Sequence, residues 1–192
     1  QQGFTTLITA YQLACSILNR NFEGFTLADN SANAESIFQN KAKFTYTQLP
    51  ERLKPTEKLN NRKMLMFHKI NSSWAVDTAT KDVGRSRTIN FFHGSECAFW
   101  RDGIASIQAA LGEAFTRNCI KIYESTAKGF NDFQKMTISN LGENNHFHIS
   151  SEIETNKKEK DTYSSYEAYT VNPLYGSDRF GYADSKGGAH CG

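Results

Sequence analysis

Short apolar runs alternate with amphipathic segments along residues 1–136, and this order constrains the fold more than any other feature of the chain. A spacing of three and four between apolar residues predicts helices over 5–18, 31–49, 104–115 and from 130 onward. Short apolar runs predict strands at 25–28, 88–93 and 119–123. Strands that alternate with helices are typical of a parallel sheet covered on both faces, in which ligands bind at the carboxyl ends of the strands.

The residues between the second helix and the next parallel strand follow a different pattern. Pro50 ends the helical periodicity, and residues 51–63 carry five Lys or Arg residues, which predicts a basic loop. Two strand-like runs follow, at 64–70 and 73–78, and their short connection favours a hairpin. The sequence therefore predicts a small antiparallel addition beside the parallel strands.

The character of the chain changes near residue 138. Residues 139–192 are rich in Asn, Ser, Glu, Lys, Tyr and Gly and show no sustained periodicity. The formal net charge of +2 combines a basic excess in residues 1–136 with an acidic excess in the tail. The expected organisation is one α/β domain over 1–138, followed by a linker or a diverged start of a second domain over 139–192. We expect residues 139–192 to form a poorly structured C-terminal tail.

The composition also bounds the cellular setting. No run approaches the roughly 20 apolar residues of a membrane helix, so no membrane association is expected. The four cysteines are widely spaced without a CxxC pair, which favours reduced thiols and a cytosolic protein. The chain begins at Gln1 without an initiating Met, and we expect that its true beginning is missing.

The first residues form a candidate phosphate-binding turn. Gln1-Gln2-Gly3-Phe4-Thr5-Thr6 directly precedes the first predicted helix, and helix N-termini bind phosphate through backbone N–H groups. In the P-loop pattern GxxxxGK[ST], Gly3 matches the second Gly and Thr5 the hydroxyl that binds Mg²⁺, but Phe4 stands at the Lys position. A glycine turn with a threonine cap explains the same residues, and both interpretations stay open.

An acidic residue follows the strand predicted at 88–93. Glu96 has the placement of the acid that polarises an attacking water in P-loop ATPases. Ser95 stands where such enzymes usually have the Mg²⁺-binding Asp, and as a neutral group it can only assist. An exposed glutamate at a strand end is the alternative interpretation of Glu96.

Three further groups of polar residues lie at predicted loops and strand ends. Arg85 and Arg87 precede the acidic strand and are candidates to stabilise charge on a phosphate, with a solvated basic loop as the alternative. The segment 124–129 (ESTAKG) follows a strand and is suited to sense a γ-phosphate, with a helix cap as its alternative. His146 and His148 lack accompanying ligands at metal-site spacing and are interpreted as surface histidines.

Four segments together suggest a family. QQGFTTLITAY, TATKDVGRSRT, INFFHGSECAFW and IKIYESTAKGFNDF, in this order and spacing, resemble the ATPase domain of the large terminase subunit of tailed bacteriophages. The resemblance covers about residues 1–136. It implies an ASCE-type P-loop NTPase fold with a mostly parallel sheet, and an ATP-driven motor that moves viral double-stranded DNA into a prohead.

The resemblance also implies roles for individual residues. Gln2, Gly3, Phe4, Thr5 and Thr6 would bind ATP, with Thr5 and Ser95 near Mg²⁺. Glu96 would be the catalytic glutamate, Arg85 an arginine finger acting between subunits, and Ser125 with Thr126 the motif that couples hydrolysis to motion.

The resemblance extends to partners and location. The portal protein, the small terminase subunit and other copies in a ring would be its partners, in the host cytoplasm. The tail does not match the family's nuclease domain, and no nuclease activity is expected. Two alternatives remain open: a non-catalytic assembly module, because the upstream part of the phosphate loop is absent, and another P-loop DNA motor such as a helicase.

Overall fold

A computed structural model describes residues 3–84, 86–126, 128–140, 146–150 and 165–171. Its α-helices are α1 Phe4–Leu18, α2 Ser31–Ile37, α3 Phe44–Gln48, α4 Ile104–Leu111 and α5 Asp132–Asn140. Its strands are β1 Glu23–Ala28, β2 Glu57–Asn60, β3 Met64–Phe67, β4 Ser72–Thr78, β5 Ile89–Gly94, β6 Phe115–Thr126, β7 His146–Ser150 and β8 Ser165–Val171. A π-helical turn over Phe38–Lys43 joins α2 to α3.

The strands form one sheet in the order β2-β3-β4-β1-β5-β6-β8-β7. The four central strands, β4, β1, β5 and β6, run parallel to one another. The strands on each side of them are antiparallel. The α/β class is confirmed, and the parallel arrangement that the sequence predicts holds for the centre of the sheet, whereas its margins are antiparallel.

Helices cover both faces of the sheet. Successive side chains of each central strand point to opposite faces, so each face presents side chains for helices to pack against. On one face, Trp74 and Val76 of β4 pack with Leu13 of α1 and with the α2 segment, which comprises α2, the π-helical turn and α3 (residues 31–48). On the other face, Phe25 and Leu27 of β1 pack with side chains from α4 and α5. The prediction of helices on both faces is confirmed.

Gln12 is a polar side chain at the centre of the face that α1 covers. Its Oε1 accepts hydrogen bonds from Thr26 Oγ1 and Trp74 Nε1, both at 2.7 Å, and its Nε2 donates to the Phe91 carbonyl at 3.0 Å. These partners belong to β1, β4 and β5, so one buried amide fixes α1 against three strands. Gly24 allows this approach, since a Cβ there would lie 2.9 Å from Gln12 Cγ.

The predicted hairpin is confirmed, whereas the predicted basic loop contains a strand. β3 and β4 pair antiparallel, which confirms the hairpin. The basic segment 51–63, predicted as a loop, contains β2, which pairs with β3. All four residues of β2 are exposed, so no apolar alternation marks this edge strand in the sequence.

The region beyond residue 138 contributes two strands. β8 pairs antiparallel with β6, and β7 pairs with β8. The expectation of a poorly structured tail therefore does not hold for these two stretches. Each is short and flanked by long polar sequence, and β8 gains its hydrogen bonds from the edge of β6, which local periodicity does not reveal. The proposed domain boundary at 138 stays a prediction.

Within the described ranges, no helix is long and apolar enough to cross a membrane. Cys15, Cys97 and Cys119 are free thiols. Burial raises the pKa of the Cys119 thiol to about 12, so this group is a buried, unreactive side chain.

We expect Gln12→Leu to lower the free energy of unfolding by about 3 kcal/mol or more, because it leaves three buried polar groups without partners. Urea denaturation measures the change. Gln48→Leu, at an exposed position on α3, serves as the control and should leave stability within about 0.5 kcal/mol. Equal stability of the two variants would contradict this role of Gln12.

Candidate functional site

A polar cleft of about 310 Å³ opens at the carboxyl end of β5. Three parts of the chain form it: the start of α1, the α2 segment, and the turn after β5. The residues that line it are Gly3, Phe4, Thr5, Thr6, Asn33, Ser36, Ile37, Lys41, Ser95 and Glu96. The cleft therefore unites residues that the sequence assigned separately to a phosphate turn and to an acidic strand end.

The start of α1 presents backbone donors to this cleft. Gly3 is the N-cap residue with φ of 72°, a left-handed conformation that glycine adopts without strain, and no side chain caps the helix. The first N–H groups of a helix have no acceptor within it. The 15-residue helix also directs the positive end of its dipole toward the cleft. This geometry suits a bound phosphate group.

Glu96 lies across the cleft from this helix start. Its backbone has φ of 53° and ψ of 45°, a left-handed conformation that is uncommon for a glutamate. Its Oε2 accepts hydrogen bonds from the backbone N–H of Thr126 at 3.2 Å and from Thr126 Oγ1 at 3.1 Å. The turn and these bonds together hold the carboxylate at the end of β5.

Ser125 and Thr126 form the end of β6, the strand beside β5. Ser125 Oγ accepts a hydrogen bond from the Ala98 N–H at 3.0 Å and lies 3.4 Å from Glu96 Oε2. The two residues thus connect β6 to the turn that carries Glu96. The sequence predicted a turn at 124–129, whereas residues 124–126 complete β6.

A buried carboxylate lies near the cleft, at a residue that the sequence analysis included in the 124–129 segment without giving it a role of its own. Glu124 is 3% exposed, and its Oε1 is 2.9 Å from Nε2 of the fully buried His93. The side chains of Thr5 and Ser95 also favour the ionised form of this carboxylate. The sequence does carry a signal for this position, namely a glutamate at the end of an apolar strand. Charged residues are rarely buried without partners, so such a glutamate predicts a partnered carboxylate.

The partners of Glu124 determine its ionisation. Burial by itself raises the pKa of this carboxyl group, but the hydrogen bond and charge of His93, with the bonds from Thr5 and Ser95, outweigh burial and lower the pKa. Glu124 is therefore ionised at neutral pH. It gives the floor of the cleft a fixed negative charge.

The two candidate arginines have different outcomes. Arg85 lies outside the described residues, as does Gln2, and both assignments stay predictions. Arg87 forms an ion pair with Glu23 and lies over the Phe25 ring, 4.3 Å from its centroid. These contacts hold Arg87 in a structural role at the start of β1.

Candidate metal ligands are few. Among the described residues, no cluster of three His, Cys, Asp or Glu side chains could hold a metal ion. Thr5 and Ser95 lie on the same cleft, with the carboxylates of Glu96 and Glu124 nearby. Hard cations such as Mg²⁺ take oxygen ligands and keep several waters when they bind together with substrate phosphates, and this donor set suits that mode.

Comparison with known proteins places the fold. No protein-family model matches the sequence, and no curated protein matches it. The large terminase ATPase domain of Thermus phage P74-26 is similar in structure, with a TM-score of 0.51 and 16% identity. A variant of the same domain gives a TM-score of 0.50, also at 16% identity. Each alignment covers 72% of this chain and 61% of the phage domain.

At this identity the likeness concerns the fold alone, and it confirms the α/β fold with a mostly parallel sheet that the resemblance implied. The chain spans about three fifths of the length of the phage domain.

We expect Glu124→Gln to lower the free energy of unfolding at pH 7 by about 1–3 kcal/mol, because a charge-assisted hydrogen bond to His93 becomes a neutral one. Folding lowers the pKa of Glu124, so its carboxylate stabilises the fold above the range in which an unfolded glutamate titrates. That stabilisation is lost as the pH falls through the lower, folded pKa.

The difference between the unsubstituted chain and Glu124→Gln should therefore shrink on acidification below about pH 4.3. Urea denaturation from pH 7 to pH 3 follows it, with exposed Glu113→Gln as the matched control. A difference that stays constant over this range would show that the charge of Glu124 does not stabilise the fold.

Proposed function

We propose that this chain is the ATP-hydrolysing domain of a terminase-like motor that moves viral double-stranded DNA into a phage prohead. One observation carries the proposal: Glu96 and the uncapped start of α1 face each other across one cleft, at the carboxyl ends of the parallel strands. Ligands of open α/β sheets bind at this edge. The likeness of the fold to a terminase ATPase domain supports the same assignment.

The residues of the cleft fit a magnesium-bound nucleoside triphosphate. The N–H groups of Phe4, Thr5 and Thr6 would hold phosphate oxygens, with Gly3 providing the close approach. The hydroxyl groups of Thr5 and Ser95 would hold Mg²⁺ or its waters, above the charge of Glu124. When bound, Mg²⁺ would neutralise charge on the phosphates.

Glu96 is the proposed general base. A carboxylate at this position can accept a proton from a water molecule as that water attacks the terminal phosphate. Its left-handed backbone directs the residue out of the strand, and its contact with the cleft leaves it accessible to solvent. A water between Glu96 and the phosphate turn would satisfy the geometry that this step requires.

Ser125 and Thr126 are the proposed coupling residues. Thr126 donates two hydrogen bonds to the catalytic carboxylate, so any movement of Glu96 toward a water must weaken or rearrange them. Thr126 ends β6 and is followed closely by α5. A change at Glu96 is therefore transmitted directly to the end of β6, which is how hydrolysis would be linked to movement.

The remaining elements of the proposal concern assembly. Double-stranded DNA, the portal protein and the small terminase subunit are the proposed partners, with several copies forming a ring in the host cytoplasm. Arg85 remains the proposed arginine finger between neighbouring copies. ATP and Mg²⁺ are the proposed substrate and cofactor.

We expect Glu96→Gln to reduce steady-state ATP turnover by about 10²- to 10⁴-fold while ATP affinity changes little, because the amide cannot accept the proton of the attacking water. Phosphate release and equilibrium nucleotide binding measure the two effects. Glu113→Gln is the control, since Glu113 is exposed and distant from the cleft lining.

Full turnover in the Glu96→Gln variant would contradict the catalytic assignment. Nucleotide binding without turnover in the unsubstituted chain would instead favour the non-catalytic assembly module, which the phenylalanine at position 4 makes a specific alternative.

A translocating motor and a helicase are distinguished by what happens to the DNA strands. We expect that the chain hydrolyses ATP in the presence of a forked duplex without separating its strands; the similarity of its fold to that of a large terminase ATPase domain supports this expectation. A fluorescence unwinding assay tests this, with a known helicase as positive control. ATP-dependent strand separation would favour the helicase alternative.

A further inference from the structure

The described part of the proposed phosphate turn, Gly3–Thr6, carries no charged side chain. Phe4 stands at the position where the P-loop pattern has its lysine, and the other residues from Gly3 to Thr6 are uncharged. A lysine at that position normally reaches the phosphates and balances their charge. Helix N–H groups alone leave much of the charge of a triphosphate uncompensated.

One cation lines the cleft from the opposite wall. Among the described residues of the lining, Glu96 and Lys41 carry charge, and Lys41 is the positive one. Lys41 shares this wall with Asn33, Ser36 and Ile37. Going along the chain from residue 33, successive members of this set are three, one and four positions apart, which places all four side chains on one side of the α2 segment.

The local backbone around Lys41 is unusual. Residues Phe38–Lys43 form a π-helical turn between two α-helical segments. Such insertions are rare and often occur at functional sites, because they change the direction of side chains relative to a regular helix. Buried Phe38 and Ala42 anchor this turn against the sheet. Lys41 is thus held on a fixed part of the backbone.

Lys41 also has no competing partner in the part of the chain that the structure describes. Lys54 and Lys63 form ion pairs with Glu51 and Asp77, whereas the ammonium group of Lys41 makes no hydrogen bond or ion pair with the described residues. Its side chain is only partly exposed. Because a half-buried ammonium group without a partner is energetically unfavourable, binding of an anion next to it is favoured.

We propose that Lys41 binds the phosphate chain of the nucleotide and supplies, from the π-helical turn, the positive charge that the Gly3–Thr6 turn lacks. This inference rests on the proposed function of the cleft. It assigns the two walls separate tasks: α1 contributes backbone N–H groups, and the α2 segment contributes a point charge with three donors.

The assignment also explains the balance of charge in the cleft. Glu96 and the buried Glu124 both place negative charge near the phosphates. They repel a triphosphate through a partly buried region where screening is weak, and bound Mg²⁺ would offset only part of this repulsion. Lys41, which lines the same cleft as Glu96, supplies further positive charge.

The proposal is tested by isothermal titration calorimetry of the chain of residues 1–192 with three ligands: Mg-ATP, inorganic tripolyphosphate and adenosine. We expect Lys41→Gln to weaken binding of Mg-ATP and of tripolyphosphate by about ten- to a hundredfold, the range for a charged hydrogen bond. Adenosine affinity and the melting temperature of the free protein should remain unchanged. Lys41→Arg should restore most of the lost affinity.

Lys43→Gln is the matched control, because Lys43 lies on the same π-helical turn, is also partly exposed and does not line the cleft. It should bind Mg-ATP within about twofold of the unsubstituted chain, as expected for a surface charge outside the site. Equal losses in the Lys41 and Lys43 variants would show a general charge effect and overturn the proposal.

The failure of the inference differs from the failure of the proposed function. If the unsubstituted chain binds Mg-ATP and Lys41→Gln binds it equally well, the role of Lys41 is wrong while the nucleotide site stands. If the unsubstituted chain binds neither Mg-ATP nor tripolyphosphate, the proposed function is wrong, and the role of Lys41 fails with it.

Discussion

The cleft depends on the position of α1, and α1 depends on the buried amide of Gln12. A hydrophobic face alone would allow the helix to slide, because apolar contacts have little directional preference. The hydrogen bonds of Gln12 to Thr26, Trp74 and Phe91 fix both the height and the rotation of α1 over the parallel strands. The start of the same helix then lies at the carboxyl end of β5, opposite Glu96.

The cleft is closed from below by residues of two adjacent strands. Parallel pairing of β5 with β6 places Gly94 opposite Tyr123, so the next residues, Ser95 and Glu124, meet at the same edge. Glu96, one residue further on, is joined to Thr126 by hydrogen bonds. Strand register thus brings together two short sequence motifs whose residues lie 29 and 30 positions apart in the chain.

The sequence predicts the elements well where periodicity is strong and fails where long-range pairing decides. The predicted helix over 5–18 and strand over 25–28 lie within α1 and β1. The apolar spacing does not mark the buried side of α1, however, because Leu7, Tyr11 and Leu18 are exposed, whereas the polar Thr9, Gln12 and Ser16 are buried. β8 and the exposed β2 carry no such pattern and depend on a neighbouring strand. Glu96 follows from a motif, whereas the pairing of Glu124 with His93 joins residues 31 positions apart and depends on strand register.

The serine at position 95 is consistent with the buried charge beside it. An aspartate there would place a second carboxylate next to Glu124 at a site where Ser95 is 4% exposed. Two like charges in such surroundings cannot both remain ionised without a large cost. The hydroxyl group of Ser95 instead favours the ionised form of Glu124, so β6 supplies a carboxylate near the cleft in addition to Glu96. With Ser95 in place of a second acid at the end of β5, the buried carboxylate near the cleft is that of Glu124 on the neighbouring strand β6.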